Sequence, residues 1–221
     1  MAVRRLVGAV LPPTRTLVLE LAEPDLRVAV ERKSRIALAK ATGEAPPNAI
    51  WLACLPAAVT TVVWAEIYGL YAAPIPERSG AAIRAVASVY PAGERVGYSF
   101  LGHAFAPPVA VTDLPRRHYE IRNASRSPAA FGLLQAATVD GDRVTAPLNA
   151  VVLPPGAGAD FAHFDTLYVW LQAGVVGATV AAHVPPATTI VYVGSERMKR
   201  YRYDARASRF LPFAPPSEDP T

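Results

Sequence analysis

Cysteine, methionine and the side-chain amides are scarce in this chain. Its 221 residues include one cysteine and two methionines, so an intrachain disulfide is excluded. Cys54 lies in an apolar stretch, where a cysteine is usually a small buried hydrophobic residue, and we expect it to be buried. Few oxidisable residues together with 22 prolines are typical of proteins from thermophiles, although a GC-rich genome produces the same bias.

Lysine is also rare, and the basic charge therefore comes almost wholly from arginine. Three of the 22 basic residues are lysines, and the formal net charge is +4. Arginine pairs with carboxylates and phosphates through two parallel hydrogen bonds and stacks on aromatic rings, which suits protein interfaces and polyanions alike. Residues 1–20 contain Arg4 and Arg5 followed by Pro12 and Pro13, without the apolar segment of a secretory signal, so no signal peptide is expected.

Proline and glycine are abundant, and this favours short strands joined by ordered turns. Proline is excluded from helix interiors and from central strands, and the chain has 22 prolines and 14 glycines. The stretch Tyr119–Val184 consists of short apolar runs separated by Gly, Pro or Asp, as in a sandwich built from hairpins. The predicted fold is all-β, a jelly roll or related antiparallel β-sandwich of about ten strands with little helix.

One strand in this stretch is apolar on both faces, which is typical of a sheet covered on both sides. Its two sets of residues are Leu167, Val169 and Leu171 on one face and Tyr168, Trp170 and Gln172 on the other. Other strands are predicted at Val3–Val10, Thr16–Leu21, Ala82–Tyr90, Val96–Phe105, Val109–Thr112 and Thr188–Val193.

Two segments allow more than one interpretation. Arg27–Lys40 alternates like a strand in its first half, which we favour there, whereas its second half could end a short helix. Ala49–Ala73 is apolar enough for a membrane span, but Pro56, Glu66 and a cluster of β-branched residues argue against one. Two strands, Ile50–Leu55 and Thr60–Tyr71, are predicted there instead.

The domain organisation follows from a proline-rich break at residues 45–48. Residues 1–48 are predicted to form an N-terminal arm with strands packed on the main body. Residues 49–211 form the sandwich, and residues 212–221 form an extended proline-rich tail.

No residues in a catalytic, cofactor-binding or metal-binding pattern stand out. His103, His118, His163 and His183 are far apart, and none has a second histidine at metal-ligand spacing. The segments Asp140-Gly141-Asp142 and Pro154–Gly158 have the composition of turns. We therefore predict a protein that is not an enzyme and has no cofactor. Histidines converging inside a barrel, as in a cupin-like metal enzyme, remain the alternative.

The most pointed local signal is a basic stretch in which cations alternate with tyrosines. Its candidate interface or polyanion-binding residues are Arg197, Lys199, Arg200, Tyr201, Arg202, Tyr203 and Arg206. Such residues can neutralise phosphates and stack on bases, or contact anionic lipid. A charged edge strand, exposed to solvent or facing a neighbouring subunit, has the same composition.

The order of features between residues 119 and 184 resembles a module of bacteriophage structural proteins. A strand ends in Asn123, a break of small residues follows, and Leu153 leads into a Pro-Gly step. The aromatic strand Leu167–Trp170 and the glycine-linked strand Ala178–Val180 complete the module. The last pair of strands also resembles the closing strands of jelly-roll coat proteins of small icosahedral viruses and tailless phages.

The resemblance implies a structural subunit that assembles into the capsid shell of a virus or phage particle. Its partners would be copies of itself and other capsid proteins, with nucleic acid or anionic membrane lipid inside the particle as partners of the basic stretch. No small-molecule substrate is expected. The protein would be made in the host cytoplasm and reside in the virion. The alternative function is that of a ligand-binding β-sandwich or a cupin-like metal enzyme.

Overall fold

The structure is a computed structural model that describes residues 12–43, 45–181 and 184–213. These residues form 19 strands and one helix, which confirms the predicted all-β sandwich. The strand predicted at Val3–Val10, His183 and the tail beyond residue 213 lie outside the described residues.

The elements follow one another with short connections. They are β1 (Thr14–Glu20), α1 (Glu23–Glu31), β2 (Ser34–Lys40), β3 (Ala49–Ile50), β4 (Leu52–Cys54), β5 (Val59–Ala65), β6 (Tyr68–Ala73), β7 (Ala87–Val89), β8 (Val96–Phe100), β9 (Val109–Ala110), β10 (His118–Asn123), β11 (Ala129–Val139), β12 (Asp142–Pro147), β13 (Val151–Leu153), β14 (Gly158–Ala162), β15 (Thr166–Ala173), β16 (Thr179–Val180), β17 (Thr188–Val191), β18 (Met198–Asp204) and β19 (Arg209–Pro212).

A nine-stranded sheet, called the large sheet here, forms one layer of the sandwich. Its order is β19-β18-β1-β5-β11-β6-β7, and β12 and β13 also pair with β11. A second sheet has the order β17-β15-β2-β4, a third has the order β14-β10-β8-β9, and β16 pairs with β3. Strand pairs are antiparallel except β1 with β18 and β8 with β10, which are parallel.

The main core is formed by residues of the large, second and third sheets. Leu17 and Leu19 of β1 and Leu38 of β2 are fully buried in it, as the alternation of side chains along a strand requires. On the other face of the second sheet, Trp170 packs with Ala37 in a smaller core. The prediction that the strand around Leu167–Gln172 is covered on both faces is thus confirmed.

The interpretation of Arg27–Lys40 was wrong in its first half, which is helical. Helix α1 begins with Pro24 in its first turn, where the missing amide hydrogen costs nothing, and with Glu23 and Asp25 near the positive end of the helix dipole. Ala29 is buried against the core, whereas Val28 is exposed. The alternating valines are therefore exposed, Ala29 between them marks the buried side of the helix, and the strand β2 occupies the second half.

The strand predicted at Thr60–Tyr71 is two strands, β5 and β6, separated at Glu66 and Ile67. Breaks of this kind, together with strands of two or three residues, raise the count from about ten to 19. Within the described parts of the chain, no helix is long and apolar enough to cross a membrane. Cys54 is buried as predicted, and burial raises the pKa of its thiol to about 12.

Several further strands are shorter than predicted, among them β9 and β17, which end at Ala110 and Val191. Of Ala82–Tyr90 only β7 is a strand, with a single bridge from Ala82 to Thr179. Strand β8 ends at Phe100, and Gly102 follows with a φ of 104°, a backbone conformation that favours glycine. Residues 14–40, which the sequence placed in an N-terminal arm, supply β1 and β2 as interior strands of two sheets.

Candidate functional site

The basic stretch forms β18, which lies inside the large sheet. It pairs with β1 on one side and with β19 on the other, so the interpretation as an edge strand was wrong: β19 covers that edge. Tyr201 is buried, and Tyr203 packs edge-on against Phe210. Arg200 and Arg202 alternate with these tyrosines and lie on the outer face. Because side chains alternate along a strand, the tyrosines and the arginines lie on opposite faces of the large sheet.

The arginines of β18 are paired with acidic residues from elsewhere in the chain. Glu20 of β1 lies 3.6 Å from Arg200 and 2.8 Å from Arg202. The guanidinium of Arg202 also stacks 3.5 Å from the centre of the Phe213 ring. Lys199 contacts Glu196 at 3.0 Å. The stretch is therefore a partly neutralised surface and not an uninterrupted row of cations.

The other members of the stretch are more exposed. Arg197 and Arg206 both lie on the surface. Arg206 joins Arg202 and Tyr203 in the lining of a surface groove of about 500 Å³, to which Asp25 and Asp204 also contribute. The groove thus carries both signs of charge.

The densest cluster of functional groups is a buried one that the sequence did not reveal, and it centres on Lys40. This last residue of β2 is 1% exposed. Its Nζ atom donates a hydrogen bond to Gln135 Oε1 at 2.7 Å. The Nζ atom also lies 5.2, 4.9 and 5.4 Å from the ring centres of Trp51, Trp64 and Tyr68. An ammonium there is stabilised by cation–π attraction in place of water.

Glu66 supplies the negative charge of this cluster. The Tyr68 hydroxyl donates to Glu66 Oε2 at 2.7 Å, and Trp64 Nε1 donates to Glu66 Oε1 at 3.2 Å. Arg15 Nε lies 3.7 Å from the same carboxylate. The break between β5 and β6 turns Glu66 into the interior, and this explains why a charged residue interrupts an otherwise apolar segment.

Gln135 of β11 is held at both its side chain and its backbone. Its Nε2 donates to the carbonyl oxygen of Ala65 at 2.9 Å, and its own carbonyl accepts from Trp51 Nε1 at 3.2 Å. These bonds fix the side-chain amide so that Oε1 faces Lys40 of the opposite sheet. The amide orientation follows from this hydrogen-bond pattern.

A second polar arm reaches the cluster through His163. Its ring stacks on Tyr68 with centres 3.8 Å apart, and its Nδ1 accepts from the Arg117 guanidinium at 3.0 Å. Arg117 in turn holds Asp165 with two bonds of 2.8 and 3.1 Å. Since Nδ1 is an acceptor, the proton of the neutral ring lies on Nε2, which is 3.6 Å from a Glu94 oxygen and too distant for a hydrogen bond.

Burial shifts the pKa values of these groups. Burial lowers the pKa of Lys40 to about 8, although the Glu66 carboxylate acts in the opposite direction. Burial, with Arg117 next in importance, lowers the pKa of His163 to about 3, so this histidine is neutral at ordinary pH. Burial raises the pKa of the Tyr68 hydroxyl, which stays protonated. Near neutral pH the cluster thus holds an amine that exists partly in its neutral, nucleophilic form.

The remaining histidines lie in other surroundings. His103 lines a surface groove of about 670 Å³, together with Ser125 and Arg126. Buried Asn123 shapes this groove, since it accepts from the backbone N–H of Ser125 and donates to the carbonyl of Ser127. Among the residues whose structure is described, no three His, Cys, Asp or Glu side chains form a group that could hold a metal ion.

Sequence signals for the buried cluster existed but were isolated. Lys40 is one of three lysines and ends an apolar strand, and Glu66 is the one charged residue of the segment 49–73. Nothing local indicates that these two residues meet, because β2 belongs to the second sheet and β5, β6 and β11 to the large sheet, and the two sheets pack together only in the folded protein.

Comparison of the chain with family models, with curated proteins and with solved structures finds no match in any of the three.

Proposed function

We propose that the protein is a structural subunit that assembles into the shell of a virus or phage particle, with copies of itself and other capsid proteins as partners. The observation that carries this proposal is the buried cluster around Lys40. The Lys40 amine contacts the Gln135 amide and lies among three aromatic rings. The Tyr68 side chain contacts both the Glu66 carboxylate and the His163 ring, so the cluster joins strands of both layers. Such a polar core is suited to fixing one rigid arrangement of the two sheets.

Exposed apolar side chains support contacts between copies. Val191 is 46% and Val193 is 68% exposed, while Tyr192 between them is buried, so both valines point outward. The Tyr192 N–H donates to the Asp165 carbonyl, which places the exposed Phe164 on the neighbouring chain segment. We call Phe164, Val191 and Val193 the apolar patch. Apolar side chains gathered on adjacent segments are typical of subunit contacts.

The test compares assembly of the parent chain with that of a variant in which the patch is charged. Val191→Asp with Val193→Asp is expected to remain monomeric in light scattering and electron microscopy, at concentrations where the parent forms large particles. The matched control is Val28→Asp with Val30→Asp, because these valines of α1 are 44% and 58% exposed, close to the values of the patch valines. The control should assemble like the parent.

Two outcomes would overturn the proposal. One is a parent protein that stays monomeric at all concentrations, alone and with other capsid proteins. The other is a patch variant that assembles as well as the α1 control.

A further inference from the structure

Lys40 and Gln135 place a primary amine against a carboxamide in the interior of the protein. The amine nitrogen is 2.7 Å from Gln135 Oε1, and both side chains are fully buried. Because a C=O bond measures about 1.23 Å, the amide carbon lies within about 4 Å of the nitrogen. Groups held so close gain the high effective concentration of an intramolecular pair once the reacting atoms align at about 3–3.5 Å, a short movement from this separation.

We propose that Lys40 and Gln135 form an intramolecular isopeptide crosslink. The lone pair of the Lys40 amine attacks Cδ of Gln135, and a new N–C bond forms while the carbonyl becomes an oxyanion. When the carbonyl re-forms, the bond between Cδ and Nε2 breaks. The leaving nitrogen takes the proton given up by the amine and departs as ammonia. The product is a secondary amide between the two side chains, and the reaction requires no oxidant or external reactant.

The groups around the pair fit the proton transfers of this reaction. The Tyr68 hydroxyl lies 3.4 Å from Lys40 Nζ and donates to the Glu66 carboxylate at 2.7 Å. Glu66 can therefore accept the amine proton through Tyr68 and return it, as a general acid–base pair does. Nucleophilic attack requires a neutral amine, and burial lowers the pKa of Lys40 so that this form is populated near pH 8.

The surroundings also limit the competing reaction with water. Trp51, Trp64 and Tyr68 are each at most 2% exposed and surround the amine. The crosslink would join β2 of the second sheet to β11 of the large sheet, residues 95 positions apart in sequence. It would therefore tie the two layers of the sandwich covalently, whatever the particle or partner in which the protein functions.

Mass spectrometry of the intact, unfolded parent protein tests the proposal directly. The expected mass is lower than the encoded mass by one ammonia. After trypsin digestion, the peptide 36–40 should be absent, because an acylated Lys40 is not cleaved, and a branched product should join 36–78 to 127–143. A parent protein with its full encoded mass and a free peptide 36–40 would overturn the proposal.

Variants separate this pair from other lysines and glutamines. Lys40→Met and Gln135→Met should each restore the full mass of the variant. Lys199→Met and Gln172→Met are the matched controls and should keep the ammonia deficit. A deficit that persists in Lys40→Met would show that another pair, or ammonia loss by cyclisation of an amide side chain elsewhere, is responsible and would refute the assignment.

Glu66→Gln tests the transfer of the proton through Tyr68 to Glu66, since it preserves size and keeps one acceptor oxygen but removes the base. If this variant keeps the parent's circular dichroism and its fraction of crosslinked protein falls at least tenfold, the relay is supported. Crosslinking at the parent's extent and rate would refute the role of Glu66.

Discussion

The interior around Lys40 and the outer face of β18 use the same kinds of charged pair in opposite surroundings. In the interior, Arg15 and Lys40 share a cluster with Glu66, and all three side chains are almost fully shielded from water. On the outer face, Arg200 and Arg202 share Glu20, and both arginines remain at least one third exposed. The distances between the charged atoms are similar in the two regions, and what differs is the exposure of the side chains to water.

This difference decides what each region can contribute. A buried charge that loses its partner is left without solvation, which costs several kcal/mol, whereas an exposed pair contributes at most about 1 kcal/mol because water and salt screen it. The residues of the interior cluster therefore cannot exchange partners without destabilising the fold. The outer face can exchange Glu20 for the anion of a partner with little cost to the folded subunit.

The largest effect should come from breaking the interior cluster with Glu66→Ala. The change removes the acceptor of Trp64 Nε1 and of the Tyr68 hydroxyl and leaves Arg15 without its carboxylate. We expect the free energy of unfolding to fall by about 3–5 kcal/mol in urea denaturation. The matched change on the outer face, Glu20→Ala, should cost about 1 kcal/mol or less. Equal losses for both variants would contradict the comparison.

A smaller, pH-dependent effect should come from His163. Its pKa is about 3 in the folded protein and about 6.5 when unfolded, so below pH 6.5 the unfolded chain binds a proton that the folded protein does not. This group therefore supports full stability above pH 6.5 and loses its contribution as the pH falls toward 3. Between pH 7 and pH 5 the loss should be about 2 kcal/mol.

The His163→Phe variant serves as the reference for this pH series. Phenylalanine keeps a ring against Tyr68 but does not titrate, and Arg117 keeps its two bonds to Asp165. The difference between parent and variant in free energy of unfolding should change with pH over this range. A constant difference would show that His163 titrates normally in the folded protein.

The smallest effect on the folded subunit should come from Arg200→Ala combined with Arg202→Ala. Both arginines are exposed, so we expect the free energy of unfolding to change by less than about 1 kcal/mol.

Assembly of the same variant should nevertheless weaken if the outer face meets a neighbouring subunit or an anionic interior. Phosphate binding should weaken steeply with salt, whereas a packed protein interface should respond less. Unchanged assembly and unchanged binding at every salt concentration would show that this face is solvated surface without a binding role.

Much of the fold could be predicted because it depends on local patterns. Asp140 and Gly141 both have positive φ values and form the two-residue turn between β11 and β12, as their composition indicates. The alternation in β15 correctly predicted a strand covered on both faces. The alternating valines of α1 led to the wrong prediction of a strand. Val28 and Val30 are both exposed, and the segment is a helix that begins near Pro24 and buries Ala29.

The sequence by itself determined the all-β class, the turns, the burial of Cys54 and the position of the basic stretch. These properties depend on neighbouring residues, whose spacing is visible along the chain. Only the tertiary structure decided that β19 covers β18, that Glu20 pairs with its arginines, and that Lys40 meets Gln135 and Glu66. The contacts of Glu20 and Lys40 join strands far apart in sequence. Those of Lys40 also depend on burial between two sheets, which no local pattern encodes.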